Sequence, residues 1–148
     1  MVKPSNFPRA LDDTLVGTYP ALVGAGGGFV WDAVLEYRVW CHPENGAVDL
    51  EGGDDYYRAF PTYEQALAFA ESEEGAEAPT ALVLQAEYID EPEPCLLVHV
   101  KKPRMTEWPV HFLEEPRRTA RTITDWLALG AGARRALMKG LNSSPRGL

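Results

Sequence analysis

The chain has 148 residues, of which 45% are hydrophobic and 24% charged, with a formal net charge of −8. This suits one globular domain, 1–148, since most domains run to roughly 100–150 residues, and a chain of this size buries a core without disulfide or metal staples. No apolar run approaches the roughly 20 residues of a membrane span, and Met1–Thr14 lacks the basic-then-apolar order of a secretion signal. The expectation is a cytoplasmic protein without membrane contact, whose Cys41 and Cys95, far apart and outside any CxxC, are buried, reduced thiols.

Charge is unevenly placed. Met1–Pro94 carries four basic against eighteen acidic side chains, a balance of −14, and Cys95–Leu148 carries ten against four, +6, which together restore −8. The two halves can complement one another. Alternatively, Lys101, Lys102, Arg104, Arg117, Arg118 and Arg121 form a patch for a small anionic ligand such as a nucleotide phosphate. A long nucleic acid is not expected as partner, because the acidic half opposes the phosphate neutralisation on which such binding depends.

In chain order, Met1–Thr14 is polar with two prolines and is expected to be a loose arm. Leu15–Val23 is apolar enough for a strand, although Pro20 favours an edge or an irregular segment, and Gly24–Gly28 is a glycine-rich loop. Val34–Cys41 is the clearest strand, rich in β-branched and aromatic residues. Leu35, Tyr37, Val39 and Cys41 share one face, and Val34, Glu36, Arg38 and Trp40 the other. His42–Asp54, with its Pro, Asn-Gly and Gly-Gly, is a loop, and Tyr56–Phe60 a short second strand. Thr62 and Gln65 form a capping box in front of a helix whose Tyr63, Ala66, Leu67 and Ala70 fall on one face. Gly75 closes it. Thr80–Ile89 reads as one strand, Asp90–Pro94 as a turn, and Leu96–Lys102 as a strand with Leu96, Val98 and Val100 inward. Met105–Phe112 is extended, interrupted by Pro109. Thr122 or Thr124 caps a short helix through Leu127, a second helix covers Ala131–Leu141, and 142–148 frays. This order predicts an α+β fold: a mixed or mainly antiparallel sheet with helices packed on one side.

Candidate chemistry is sparse. His42 follows the end of the best strand, with Glu44 two residues on and Arg38 and Trp40 before it. A sheet holds such a loop root rigid, and His, Glu and Arg together can supply a proton carrier, its orienter and an anion clamp. Arg104-Met105-Thr106-Glu107-Trp108 puts a base, a carboxylate and an aromatic in one extended segment; with Trp108 in the core, Glu107 is expected to face out. The Gly24–Gly28 run lacks the Gly-Lys-Ser/Thr ending of a phosphate loop. His42, His99 and His111 match no zinc spacing with Cys41 and Cys95, so no metal site is expected.

The segments VGTYPALVGAGGG (Val16–Gly28), VLEYRVWCHP (Val34–Pro43), YEQALAF (Tyr63–Phe69), YIDEPEP (Tyr88–Pro94) and RMTEWPVHFL (Arg104–Leu113) resemble a group of small uncharacterised bacterial proteins, some labelled as GNAT-superfamily N-acetyltransferases. That resemblance implies acetyl-CoA as cofactor, with its pyrophosphate held at a helix N-terminus by a Gln/Arg-x-x-Gly-x-Gly/Ala loop. The nearest stretch, Gly130-Ala131-Gly132, has Leu127 where the pattern has Gln or Arg, and lies near the end of the chain. A second likeness is to ADP-ribosyltransferases, which are NAD-dependent. Arg38, the Phe60-Pro61-Thr62 stretch and Glu107 occur in that family's order.

These readings make Arg38, His42 and Glu107 the catalytic candidates. The leading expectation is a domain that binds a small anionic ligand or a protein partner. Acetyl-CoA-dependent transfer and NAD-dependent ADP-ribosyl transfer are the enzyme alternatives. Trp40 and Tyr57, if exposed, would mark a homodimer interface.

Overall fold

The computed structural model describes residues 7–24 and 26–129. The fold is α+β, with strands β1 (Ala33–Cys41), β2 (Tyr56–Phe60), β3 (Thr80–Gln85), β4 (Tyr88–Glu93), β5 (Leu96–Val100) and β6 (Arg104–Pro109), and helices α1 (Tyr63–Ser72) and α2 (Thr122–Ala128). Hydrogen bonding orders the strands β2-β1-β3-β6 in one sheet and β4-β5 in another. The described residues divide into two compact units, one of residues 7–21 and 34–82, the other of 22–24, 26–33 and 83–129, and β3 carries the chain from the first to the second. No helix among the described residues is long and apolar enough to cross a membrane. The helix expected over Ala131–Leu141 and the Gly130-Ala131-Gly132 stretch lie outside the described residues.

In the first unit β1 and β2 are antiparallel, with Tyr37 opposite Phe60, Val39 opposite Arg58 and Cys41 opposite Tyr56. α1 packs on β2, and Phe60 meets Phe69 at 5.4 Å between ring centroids. Thr62 caps α1 as expected, its hydroxyl oxygen accepting from the Gln65 backbone N–H at 3.2 Å. The box is not reciprocal, however, because the Thr62 hydroxyl itself donates to the Gln65 side-chain oxygen at 3.0 Å. Ala66 is the fully buried residue of the helix face.

Leu15–Val23 is not a strand but the irregular segment that Pro20 favours; a 3-10 turn over Asp13–Leu15 leads into it, and its backbone serves β1 side chains instead of a ladder. Gly17 N–H donates to Glu36 Oε1 at 2.8 Å, and the carbonyls of Pro20 and Ala21 accept from Arg38 at 2.6 and 3.1 Å. The Val34-Glu36-Arg38 face of β1 is therefore as buried as the Leu35-Tyr37-Val39 face. Nor is the described part of the N-terminal arm loose: Pro8 O accepts from the Tyr37 hydroxyl, Ala10 N–H bonds Pro61 O and Leu11 N–H bonds Val34 O.

In the second unit Phe29, Trp108 and Phe112 form an aromatic knot with centroids 4.7–5.1 Å apart. Val30, Ile89 and Ile123 form an apolar cluster flanked by Leu97, Trp126 and Leu127. Thr80–Ile89 is not one strand, because the chain breaks step at Ala86, whose N–H is taken by Asp32 Oδ2 at 2.7 Å. β4 then runs through Glu93, where a turn was expected, and the hairpin reverses at Pro94-Cys95 with Cys95 at φ 67. On β5 the expected faces are inverted: Leu96 and Val98 are exposed, whereas Leu97 reaches the apolar cluster. Glu107 does not face out; it is fully buried alongside Thr106 and Trp108. The glycine loop lies against β4, with Gly28 bridging Ile89, and a Cβ on Gly27 would sit 1.7 Å from the Ile89 carbonyl oxygen.

Candidate functional site

Antiparallel pairing of β1 with β2 builds the site. Cys41 faces Tyr56 across the ladder, so one further step places His42 opposite Asp55, and Nδ1 of His42 lies 2.9 Å from Asp55 Oδ1. On the other side of β1, Cys41 makes an antiparallel bridge to Ala76. His42 N–H bonds Gly75 O, and Glu77 N–H bonds Trp40 O. This brings Glu77 Oε2 to 2.7 Å from His42 Nε2. Both ring nitrogens thus meet carboxylates, and hydrogen bonds to Glu77 first and then Asp55 raise the His42 pKa above the ordinary histidine value, against the opposing effect of burial. Gly75 permits the approach: at φ +78, a Cβ there would lie 2.4 Å from Ala47 N and 2.7 Å from His42 O.

Immediately after His42 the chain makes a 3-10 turn over Pro43–Asn45, closed by Gly46 in the left-handed region. The turn carries Glu44 back toward the histidine, and the donor atoms of His42, Glu44 and Asp55 lie within 4.8 Å of one another. Spacing along the chain does not reveal this set, because Asp55 arrives from the far side of the loop.

Asp55 also belongs to an open pocket of about 320 Å³ lined by Ala21, Trp40, Glu51, Asp54, Asp55, Tyr56 and Tyr57. Trp40 and Tyr57 are a cross-strand pair with centroids 5.0 Å apart. The tyrosine hydroxyls are tied to backbone: Tyr56 donates to Val48 O at 2.7 Å and Tyr57 to Tyr19 O at 3.1 Å. The rings are therefore held in place before any ligand arrives.

The catalytic candidates read from the sequence occupy distinct settings. Arg38 is fully buried in the first unit; it bonds Glu36 at 2.7 Å, donates to Pro20 and Ala21 carbonyls, and lies 4.4 Å over the Tyr57 ring. It acts as an anchor for residues 17–21. His42 is the candidate at the solvent boundary, with its side chain 18% exposed. Glu107 belongs to the second unit and is fully buried.

Among the basic candidates, Arg118 forms a bidentate pair with Asp32 and a second pair with Glu87 at 2.7 Å; the Asp32 contact raises its basicity. Glu87 in turn meets His99 at 3.1 Å. Arg104 is bonded to Gln85 and Gly26 O and stacked 4.0 Å over Tyr88, and burial lowers its pKa. Arg117 covers the Trp31 ring at 5.0 Å. Lys101 and Lys102 are exposed, as is Arg121, which pairs with Asp125 one turn on. Internal carboxylates, amides and rings thus engage four of these six side chains, Arg104, Arg117, Arg118 and Arg121, within their own unit.

Sequence reasoning found His42 and Glu44 but missed Asp55, Glu77, Glu51 and Asp54. The available signal was the pairing of the two best strands: extending an antiparallel ladder by one residue puts 42 against 55. The chain matches no family model, no curated protein and no solved structure.

Proposed function

We propose that this chain is a binding domain for a protein partner, and that the pocket at the β1–β2 edge takes a basic side chain of that partner. One observation carries the reading: Glu51, Asp54 and Asp55 line the same small pocket as Trp40, Tyr56 and Tyr57. Carboxylates attract an ammonium or guanidinium group, and aromatic faces add about 0.5–2 kcal/mol of cation–π attraction according to exposure. The tethered tyrosine hydroxyls lower the ordering cost of binding. A balance of −14 over Met1–Pro94 steers a basic surface toward this edge. Arg38 does not oppose this, since its charge is matched by Glu36. The volume stands at the small end of the roughly 300–1,000 Å³ of ligand sites, which suits one side chain better than a dinucleotide. The anionic-ligand alternative draws less support, because Arg104, Arg117 and Arg118 are already engaged within the second unit.

The test is NMR titration of the full chain, in EDTA, with N-acetyl-arginine amide. Shift changes are expected at the Trp40 indole and at Tyr56 and Tyr57, weakened by salt and at least several-fold weaker in Asp54→Asn. Equal changes with the neutral citrulline analogue, or none with the arginine compound, would refute the reading.

A further inference from the structure

We propose that His42, Glu44 and Asp55 form a binding site for a divalent transition-metal ion of the zinc class. Carboxylates in proximity are commonplace on an acidic surface; the imidazole is what differs here. His42 is fixed by its backbone, with N–H on Gly75 O and its carbonyl accepting from Asn45 and Ala47. Glu77 holds Nε2 from behind at 2.7 Å, the arrangement in which a carboxylate orients a ligating histidine and raises its basicity. That leaves Nδ1 directed at the Asp55 oxygen, with the Glu44 carboxylate in the same 4.8 Å cluster.

The dimensions suit the ion. With Zn–N and Zn–O distances of about 2.0–2.2 Å in tetrahedral geometry, ligand atoms stand about 3.3 Å apart. The Nδ1–Asp55 separation of 2.9 Å must therefore open by a few tenths of an ångström, and the widest pair in the cluster, within 4.8 Å, must close. Both adjustments fall within side-chain rotation, because Asp55 is 48% exposed and Glu44 lies on an open turn. The ion takes the place of the proton between Nδ1 and Asp55, which is released to solvent, and water completes the fourth position. One nitrogen and two oxygens select zinc-like ions over calcium or magnesium, which prefer all-oxygen shells.

This inference shares Asp55 with the pocket reading, but Glu44 and His42 do not line the pocket, so Glu44→Gln tests the metal site separately. The test is calorimetric titration of the EDTA-stripped full chain with Zn²⁺, in a Cys95→Ser background that removes the exposed thiol. One saturable equivalent is expected, with affinity at least tenfold weaker in Glu44→Gln. That variant alters an exposed side chain and keeps the fold, as its circular dichroism and melting temperature will verify. A tenfold or greater loss in Glu77→Gln is expected too, with His42 Nδ1 as the metallated nitrogen in ¹⁵N spectra. No saturable binding in the Cys95→Ser chain, or unchanged affinity in Glu44→Gln, overturns the proposal.

Discussion

Arg38→Met removes the cation from a pair whose two side chains have no solvent exposure. Glu36 then keeps only the Gly17 N–H among the donors described above, while the Pro20 and Ala21 carbonyls each lose a guanidinium donor. Breaking a buried pair by deleting one partner costs about 3–5 kcal/mol, because an uncompensated charge stays inside. A domain of this size holds only about 5–15 kcal/mol in total. With a urea slope of about 2–3 kcal/mol per molar, a loss of about 4 kcal/mol lowers the unfolding midpoint by roughly 1.3–2 M. The double variant Glu36→Leu/Arg38→Met replaces both charges by apolar groups and is expected to recover most of that loss, the strong non-additivity expected of contacting residues. The assay is urea unfolding followed by tryptophan fluorescence and far-ultraviolet circular dichroism. Single variants that each cost less than about 1 kcal/mol, as exposed pairs do, would refute the assignment of Arg38 as the buried anchor of residues 17–21.

Two further outcomes are expected. Gly27→Ala sets a methyl group 1.7 Å from the Ile89 carbonyl oxygen at φ +75, so it should cost well over about 1 kcal/mol and broaden amide resonances of β4; a variant as stable as the parent contradicts that packing. Burial, followed by the Glu64 charge, raises the Tyr37 hydroxyl pKa well above its ordinary value. Since the folded chain keeps a proton that the unfolded chain releases, stability is fully present below about pH 10 and declines as pH rises beyond it. Tyr37→Phe should flatten that alkaline decline in a pH series of melting temperatures, and an unchanged slope would exclude Tyr37 as its source.

The local part of the fold was legible because it rests on short-range chemistry. Alternation of β-branched and aromatic residues marked β1, and Thr62 with the spacing of Ala66 and Leu67 marked α1. His42 was legible as a strand-end histidine for the same reason. Elsewhere the local pattern was ambiguous. Thr80–Ile89 alternates without a break, and only Asp32, arriving from far along the chain to take the Ala86 N–H, divides β3 from β4. β5 is apolar on both faces, so its inward side was set by where Val30, Ile89 and Ile123 gather. A polar residue on a strand normally signals solvent, yet Glu36 and Arg38 neutralise one another beneath residues 17–21.

What the amino-acid sequence determined alone was therefore the α+β class, the strands β1 and β2 with the helix α1, and the place of His42 at a strand end, since propensity, capping and periodicity act over a few residues. What only tertiary structure decided was which carboxylates meet that histidine. Asp55 comes from the β2 side of a long loop and Glu77 from beyond α1, and each reaches the ring through ladder register and a close backbone approach at Gly75. Register is a property of two strands together, and neither strand's residues encode it singly.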